Sequence, residues 1–438
     1  MDRNNKSVKS KPGHIVWMSA SSDKELLTHV KKCKEFICNN SQLRIDKLPS
    51  ELFHSLHHDL EHKLIVQIFS NEDLILKLNT IIENLSHKEI YYGQGNISKP
   101  GKVVFVYSGM GPQWWGMGKD LYNHYDVFKT VIDKCDSIIR KHAGWSLNEE
   151  MSKDKESSNI SRTWLAQPAN FAIQVGLTEL WKHWGVVPDG VVGHSIGETT
   201  AFYIAGLHTF EEALLVNLHR GRIQDTLTGH GKMLVLGIDL VKAMSLIHGN
   251  KHVRIAAVNS HSSITLAGDE THLSKIYDTI PDDIFKKYLN VNIPYHGNCM
   301  LQIKAELEYE LSVLNFGKTN EIELYTSTTG KKWKENMSPT QFWWQNTYET
   351  VYFKPVIEDI LQNGYNVFVE IGPHKVLSMS IKEIAAHNSM SCHVFSSLNQ
   401  GVNELVALQK NAFSISCSGV DVNWAKYNND LSQANIAY

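Results

Sequence analysis

The sequence predicts an α/β fold built on a parallel sheet, with one small unit inserted in it and another ahead of it. Three observations predict this. First, KVVFVYSG (102–109), GVVG (190–193) and NVFVEIG (366–372) are short runs of apolar β-formers. Parallel strands covered on both faces read this way. Second, helical patterns at 165–184 and 210–228 lie between these runs, and strands alternating with helices make a layered α/β fold. Third, KMLVLGI, VKAMSLIHG, RIAAVNS, ITLAG, ETHLSKIYDTI and KKYLNVNI follow in order across 232–293. That order is β-α-β-β-α-β, the ferredoxin-like pattern.

The other elements follow along the chain. Residues 1–14 are polar and read as a flexible leader. IVWMSAS reads as a strand, 22–39 as a capped helix, LIVQIFS (64–70) as a strand and 71–85 as a helix. QGNISKPGK (94–102) carries the Gly and Pro of a linker. The tail after 394 holds one helical stretch and a polar end. The expected organisation is therefore a leader (1–14), a small α+β unit (15–98), a large unit in two pieces (99–230 and 295–394), the insert (231–294) and a tail (395–438).

Composition narrows the function. The 438 residues carry a net charge of -3, so no basic field favours nucleic acid or anionic lipid. Six scattered cysteines form no CxxC pair, so reduced thiols in the cytoplasm and no metal are expected. No run of about 18 uncharged apolar residues predicts a membrane span.

Gly193-His194-Ser195-Ile196-Gly197-Glu198 follows GVVG and precedes a helix-compatible TTAFYIAGL. This is the strand–turn–helix setting of a GxSxG nucleophile elbow. Its glycines suit a tight turn that another segment must approach, and the Ile196 N–H at the helix start can donate to an oxyanion. The large unit is therefore expected to be α/β-hydrolase-like. A serine nucleophile needs a base. Among 22 histidines, His296 and His374 compete. In YSGMGPQWWGMG (107–118), four glycines follow a strand. The loop can bring N–H groups to a ligand; equally, it can be a glycine-rich loop packed by Trp114 and Trp115. Arg220, in LHRGRIQ, can hold a carboxylate bidentately or be an ordinary solvated helix charge.

Eight motifs in order carry a resemblance: SGMGPQWWGMG (108–118), AQPANFAI (166–173), GHSIGE (193–198), HRGR (219–222), AAVNSHSSITLAGD (256–269), YHGNCM (295–300), FWWQNTYETVYF (342–353) and FVEIGPHKVL (368–377). From about 15 to 427 the chain resembles the malonyl-CoA-type acyltransferase domain of type I polyketide synthases and animal fatty acid synthases. Residues 15–95 look like the ketosynthase-to-acyltransferase linker, and SGVDVNWAKY (418–427) like the post-acyltransferase linker.

The resemblance implies roles. Ser195 would be acylated and His296 would be its base, oriented by a backbone carbonyl in the loop around Gly372. Ile196 and Met110 would supply the oxyanion N–H groups. Arg220 would clamp a malonyl carboxylate, with Arg222 as the fallback. Gln167 would line the site and Asn259 would support the pocket. Tyr295 would crowd an α-methyl group and so favour malonyl, a discrimination of about 1–3 kcal/mol. Met110 replaces the commoner glutamine, and Ile293-Pro294-Tyr295-His296 matches neither HAFH nor YASH. Thr350 replaces a usual proline.

The implied substrate is malonyl-CoA, with no bound cofactor. The implied partners are an acyl carrier protein bearing phosphopantetheine, a ketosynthase and other domains of a parent synthase, and this piece alone would be a monomer. Alternatives are a methylmalonyl-selective transferase, a serine thioesterase or esterase, a transferase for uncarboxylated starters and a non-catalytic docking domain.

Overall fold

The computed structural model describes residues 12–40, 42–44, 62–83, 90–94, 101–334 and 337–433. The leader, apart from its last residues, and most of the 94–102 linker lie outside the described residues.

The first unit is an antiparallel sheet of β1 (His14–Ala20), β2 (His62–Ile68) and β3 (Ile90–Gln94), in that order. Helices Asp23–Asn39 and Asn71–Ile82 pack on it through Val30, Ile37, Leu74 and Leu78. Each helix starts at a serine whose side chain accepts from a first-turn N–H: Ser22 from Glu25 and Ser70 from Asp73. Such caps satisfy donors that the helix itself cannot.

The large sheet runs β11 (Lys331–Lys332), β10 (Glu323–Thr326), β5 (Gly190–Gly193), β4 (Lys102–Tyr107), β12 (Tyr365–Ile371) and β13 (His393–Ser396). Every pair is parallel except β10 with β11. Val104, Phe105 and Val106 of β4 are fully buried, as an inner strand with helices on both faces requires. Helix Thr163–His183 is buried on nearly all sides and packs on helix Phe210–Asp225.

The third sheet is β7 (Val253–Ser260), β8 (Ser263–Gly268), β6 (Lys232–Leu236) and β9 (Lys286–Tyr288), all antiparallel. The run KKYLNVNI was expected to be strand throughout, yet β9 ends at Tyr288. Leu289 N–H still donates to the Met233 carbonyl at 2.9 Å, but the Asn292 carbonyl then turns to Gly229 N–H at 2.7 Å. Val351 ties this sheet to the large unit: its N–H donates to the Ala256 carbonyl and its carbonyl accepts from Val258 N–H, each at 2.9 Å.

The tail departs from expectation. It carries two helices, Glu404–Cys417 and Trp424–Gln433. Trp424 and Tyr427 are buried, with Trp184 edge-on to Tyr427 at 5.1 Å. Asn428 bonds both the N–H and the carbonyl of Ile15, at 2.8 and 2.9 Å. Gln409 does the same for Gly13. Two amide side chains thus stand in for a neighbouring strand along β1, and the tail anchors the first unit.

Candidate active site

β5 ends at Gly193, and the chain turns through Ser195–Gly197 into helix Glu198–Ile204. Ser195 sits at φ +52°, a strained left-handed conformation that non-glycine residues adopt mainly at functional turns. The flanking glycines are sterically required. A Cβ on Gly193 would lie 2.2 Å from Glu198 N, and one on Gly197 2.3 Å from the Tyr107 carbonyl oxygen.

The 107–118 loop reaches this turn. A Cβ on Gly109 would lie 2.8 Å from the His194 carbonyl oxygen and 3.4 Å from Ser195 Cβ. Met110 is therefore the next residue along from that contact. The two tryptophans also pin the loop, as the alternative reading had it: Trp114 Nε1–H donates to Pro373 O at 3.0 Å and Trp115 Nε1–H to Lys153 O at 2.7 Å. The packed-loop reading therefore describes it, and its approach to the elbow brings Met110 near the nucleophile.

Ser195 Oγ lies 2.7 Å from His296 Nε2. The serine is 8% exposed and the histidine 3%. His296 Nδ1 lies 2.8 Å from the Glu349 backbone carbonyl. That carbonyl can only accept, so Nδ1 carries the proton and Nε2 turns its lone pair to the serine hydroxyl. Burial depresses the His296 pKa to about 3, helped by the Arg220 charge and partly offset by the Glu349 bond. The imidazole is therefore neutral and ready to take a proton.

One expectation is corrected here. The orienting carbonyl is Glu349's, not one in the loop around Gly372. Gly372 follows β12, which pairs with β4 rather than with β5. Its loop meets Ser108 instead, where a Cβ would lie 2.3 Å from Ser108 Oγ. Glu349 closes helix Pro339–Tyr348 in extended backbone. Its carboxylate turns away to Arg254 at 3.2 Å, so among the described residues His296 bonds no carboxylate.

Arg220 is 1% exposed. Its Nη2 donates to Ser195 Oγ at 3.3 Å and its Nη1 to Asn346 Oδ1. Its Nε has no hydrogen-bond partner among the described residues. Burial lowers its pKa to about 9, with Glu198 acting the other way, so it stays cationic at neutral pH. Arg222, two residues on, points outward to Glu306 and Glu310 at 2.9 and 2.8 Å. The solvated-charge reading thus describes Arg222 and not Arg220. His374 is also set aside: its Nδ1 accepts from Gln400 N–H at 3.1 Å.

The remaining residues surround this core. Gln167 Nε2 donates to Gln224 Oε1 at 2.6 Å, and Gln167 Oε1 is buried without a partner among the described residues. The Tyr295 hydroxyl bonds Thr163 Oγ1 at 2.6 Å. Asn259 Oδ1 lies 2.9 Å from His194 Nε2, so it holds the histidine beside the nucleophile. Thr350 Oγ1 donates to the Ile255 carbonyl at 2.7 Å, which fixes the residue after Glu349 to β7.

Two supporting side chains were not singled out from sequence. Glu198 is fully buried and accepts from Thr326 Oγ1, Ser327 Oγ, Thr328 N–H, Thr328 Oγ1 and Asn346 Nδ2. Asn346 Nδ2 also donates to the Ser195 carbonyl at 3.0 Å. Both lie within motifs quoted for other reasons, GHSIGE and FWWQNTYETVYF.

Chemically, the site holds an aligned serine–imidazole pair beside a buried cation. Among the described residues no group of His, Cys, Asp and Glu could hold a metal, and no helix is long and apolar enough to cross a membrane.

Comparison with known proteins agrees with this chemistry. The family model described as "Acyl transferase domain" matches residues 104–422. The chain is 33% identical over 336 residues to probable polyketide synthase 1 of Dictyostelium discoideum, covering 74% of this chain and 11% of that protein. It is 32% identical to the highly reducing polyketide synthase pks5 of Leptosphaeria maculans, covering 75% and 14%. The chain thus spans a small part of the curated relatives it matches. Among solved structures, the acyltransferase domain from module 8 of the salinomycin polyketide synthase superposes with a TM-score of 0.85 at 24% identity, over 94% of this chain and 97% of that one. A loading acyltransferase from the avermectin modular polyketide synthase gives 0.68 at 26%, over 72% and 99%. A family match over nearly three quarters of the length, on a fold that aligns Ser195 with His296, settles the family: the chain belongs to the acyl transferase domains, of the kind that polyketide synthases carry.

Proposed function

We propose that the chain moves a malonyl unit from malonyl-CoA to the phosphopantetheine thiol of an acyl carrier protein, within a larger synthase of the polyketide type in the cytoplasm. The observation that carries the malonyl assignment is Arg220. A guanidinium is costly to bury, and this one sits 3.3 Å from the nucleophilic oxygen with its Nε–H unspent. A carboxylate on the acyl group would supply the acceptor that Nε lacks.

His296 Nε2 takes the Ser195 proton as Oγ attacks the thioester carbonyl. The N–H groups of Ile196 and Met110 receive the oxyanion. The C–S bond breaks, the proton on His296 passes to the leaving CoA sulfur, and malonyl-Ser195 remains. The carrier thiol then gives its proton to His296, and its sulfur attacks the ester. The new thioester forms, the C–Oγ bond breaks and the proton returns to Ser195. Gln167 lines the acyl pocket, Asn259 steadies the elbow through His194, and the Tyr295 ring crowds an α-methyl group. The reaction needs no bound cofactor, since the phosphopantetheine arm belongs to the carrier. Ketosynthase and other domains of the parent are its covalent neighbours.

Intact mass after brief incubation with malonyl-CoA, methylmalonyl-CoA or acetyl-CoA tests the reading. A malonyl adduct that Ser195→Ala abolishes is expected. A methylmalonyl adduct of equal yield would overturn the malonyl preference, and steady CoA release without any adduct would point to a thioesterase.

A further inference from the structure

Arg220 does not hold its own position. Its stem rises from helix Phe210–Asp225, and the charged end is buried with no carboxylate in direct contact among the described residues. What meets it is an amide: Asn346 Oδ1 accepts from Nη1. The other end of that amide is shared, because Nδ2 lies within hydrogen-bond distance of Ser195 O at 3.0 Å, Glu198 Oε2 at 2.9 Å and Thr328 Oγ1 at 3.1 Å. Asn346 is itself buried and is fixed on helix Pro339–Tyr348. It therefore joins three things that must keep register: the cation, the backbone of the nucleophile and a fully buried carboxylate.

Resting on the malonyl reading above, we infer that Asn346 is the positioning residue of the carboxylate clamp, with Glu198 as the buried counter-charge that it relays to Arg220. The charge arrangement supports this. A buried cation without a countercharge is strongly unfavourable. Glu198 is the buried acidic side chain whose field raises the Arg220 pKa against the effect of burial; burial raises its own pKa as well, and the hydrogen bonds from Ser327, Thr326 and Thr328 oppose that by favouring the carboxylate. The amide between them keeps cation and carboxylate from collapsing into a direct pair. A direct pair would occupy the guanidinium edge that the substrate carboxylate needs. Asn346 leaves Nε and the Ser195-facing Nη2 for the acyl group while holding Nη1 from behind. Glu198 is held in turn by Thr326, Ser327 and Thr328 at the end of β10, so the clamp's aim is set by the central sheet.

A residue with this role should change which acyl group is loaded, beyond any change in overall rate. The test is Asn346→Ala beside wild type, reading kcat/KM for self-acylation from malonyl-CoA and from acetyl-CoA, with melting temperature as a control. One lost hydrogen bond to a charged group predicts a malonyl value about 10- to 100-fold lower beyond whatever both esters lose with the bond to the Ser195 carbonyl, so the malonyl-to-acetyl ratio collapses. The malonyl loss should appear chiefly in KM. Equal losses for both esters in a folded variant would overturn the inference and leave Asn346 as a support of the elbow alone. If Asn346→Ala does not fold, Glu198→Gln, which keeps the shape, is read the same way: a collapsed ratio supports the relay, and an unchanged ratio refutes it. A wild type that loads acetyl as readily as malonyl would instead refute the malonyl reading on which the inference stands.

Discussion

Replacing Arg220 with alanine removes the buried cation beside the nucleophile. In wild type its Nε is unmatched and its Nη2 is 3.3 Å from Ser195 Oγ, so a malonyl carboxylate can gain two charge-assisted bonds. At about 1.5 kcal/mol each, the low end for bonds to charged groups, the pair contributes about 3 kcal/mol, or roughly 100-fold in kcat/KM at about 1.4 kcal/mol per decade. Acetyl has no carboxylate and loses none of this. Stability should fall, because truncation leaves Glu198 buried without its countercharge and opens a cavity, so the melting temperature is read alongside. The assay is competitive self-acylation from equimolar malonyl-CoA and acetyl-CoA, resolved by intact mass. Arg220→Ala should reverse the preference while retaining the Ser195 adduct. A variant that still prefers malonyl by the wild-type factor would refute the clamp. Loss of both adducts in a folded protein would mean that Arg220 serves the serine instead.

Other predictions follow from the same geometry. His296 is neutral with its pKa depressed to about 3, so its loading activity should stay level as pH falls from 8 to 5; a base of ordinary pKa would fail below 6.5, and a loss centred there would contradict the assignment. The same shift has a stability consequence. Between pH 6.5 and 3 the unfolded chain binds a proton at this position that the folded chain refuses, so stability rises with pH across that window and is lost on acidification; thermal melts against pH will show it. Thr163→Val removes the 2.6 Å bond that fixes the Tyr295 hydroxyl. It should raise the methylmalonyl-to-malonyl loading ratio by a few fold, within the roughly 1–3 kcal/mol that one methyl can command, and an unchanged ratio would free Tyr295 of that role. Gly197→Ala drives a Cβ to 2.3 Å from the Tyr107 carbonyl oxygen. Overpacking of this kind costs about 1–3 kcal/mol, so a lower melting temperature together with weaker loading is expected.

How far the sequence reveals this molecule depends on how local each cause is. The elbow is legible because its strand, turn and helix are consecutive, and the glycines that it needs flank the serine. Helix Asp23–Asn39 is legible from periodicity and its serine cap; Thr163–His183, uncapped and buried on nearly all sides, is legible from the length of its helix-compatible run between strands. β10 and β13 are not, because ELYT and HVFS mix polar with apolar residues and lack the continuous apolar run that marks GVVG. The second tail helix was missed for another reason: its apolar side chains, Trp424 and Tyr427, are spaced for packing against Trp184 and read in isolation as a polar end. Glu349 could not be found by any side-chain motif, since what it offers His296 is a backbone carbonyl that any residue would supply. Arg220 and Arg222 are alike in sequence and differ only in which way the helix turns them, so the family resemblance rather than the helix pattern distinguished them. Asn346 lies 151 residues from the serine whose carbonyl it holds, a juxtaposition that only the fold creates.

The most direct test of the central claim is a chase. Enzyme loaded from malonyl-CoA and freed of excess ester is mixed with a carrier protein bearing phosphopantetheine, and both proteins are weighed over time. The account predicts that malonyl leaves Ser195 and appears on the carrier in equal amount, much faster than the adduct decays in buffer alone. Decay at the same rate with and without carrier, with free malonate as the product, would contradict it.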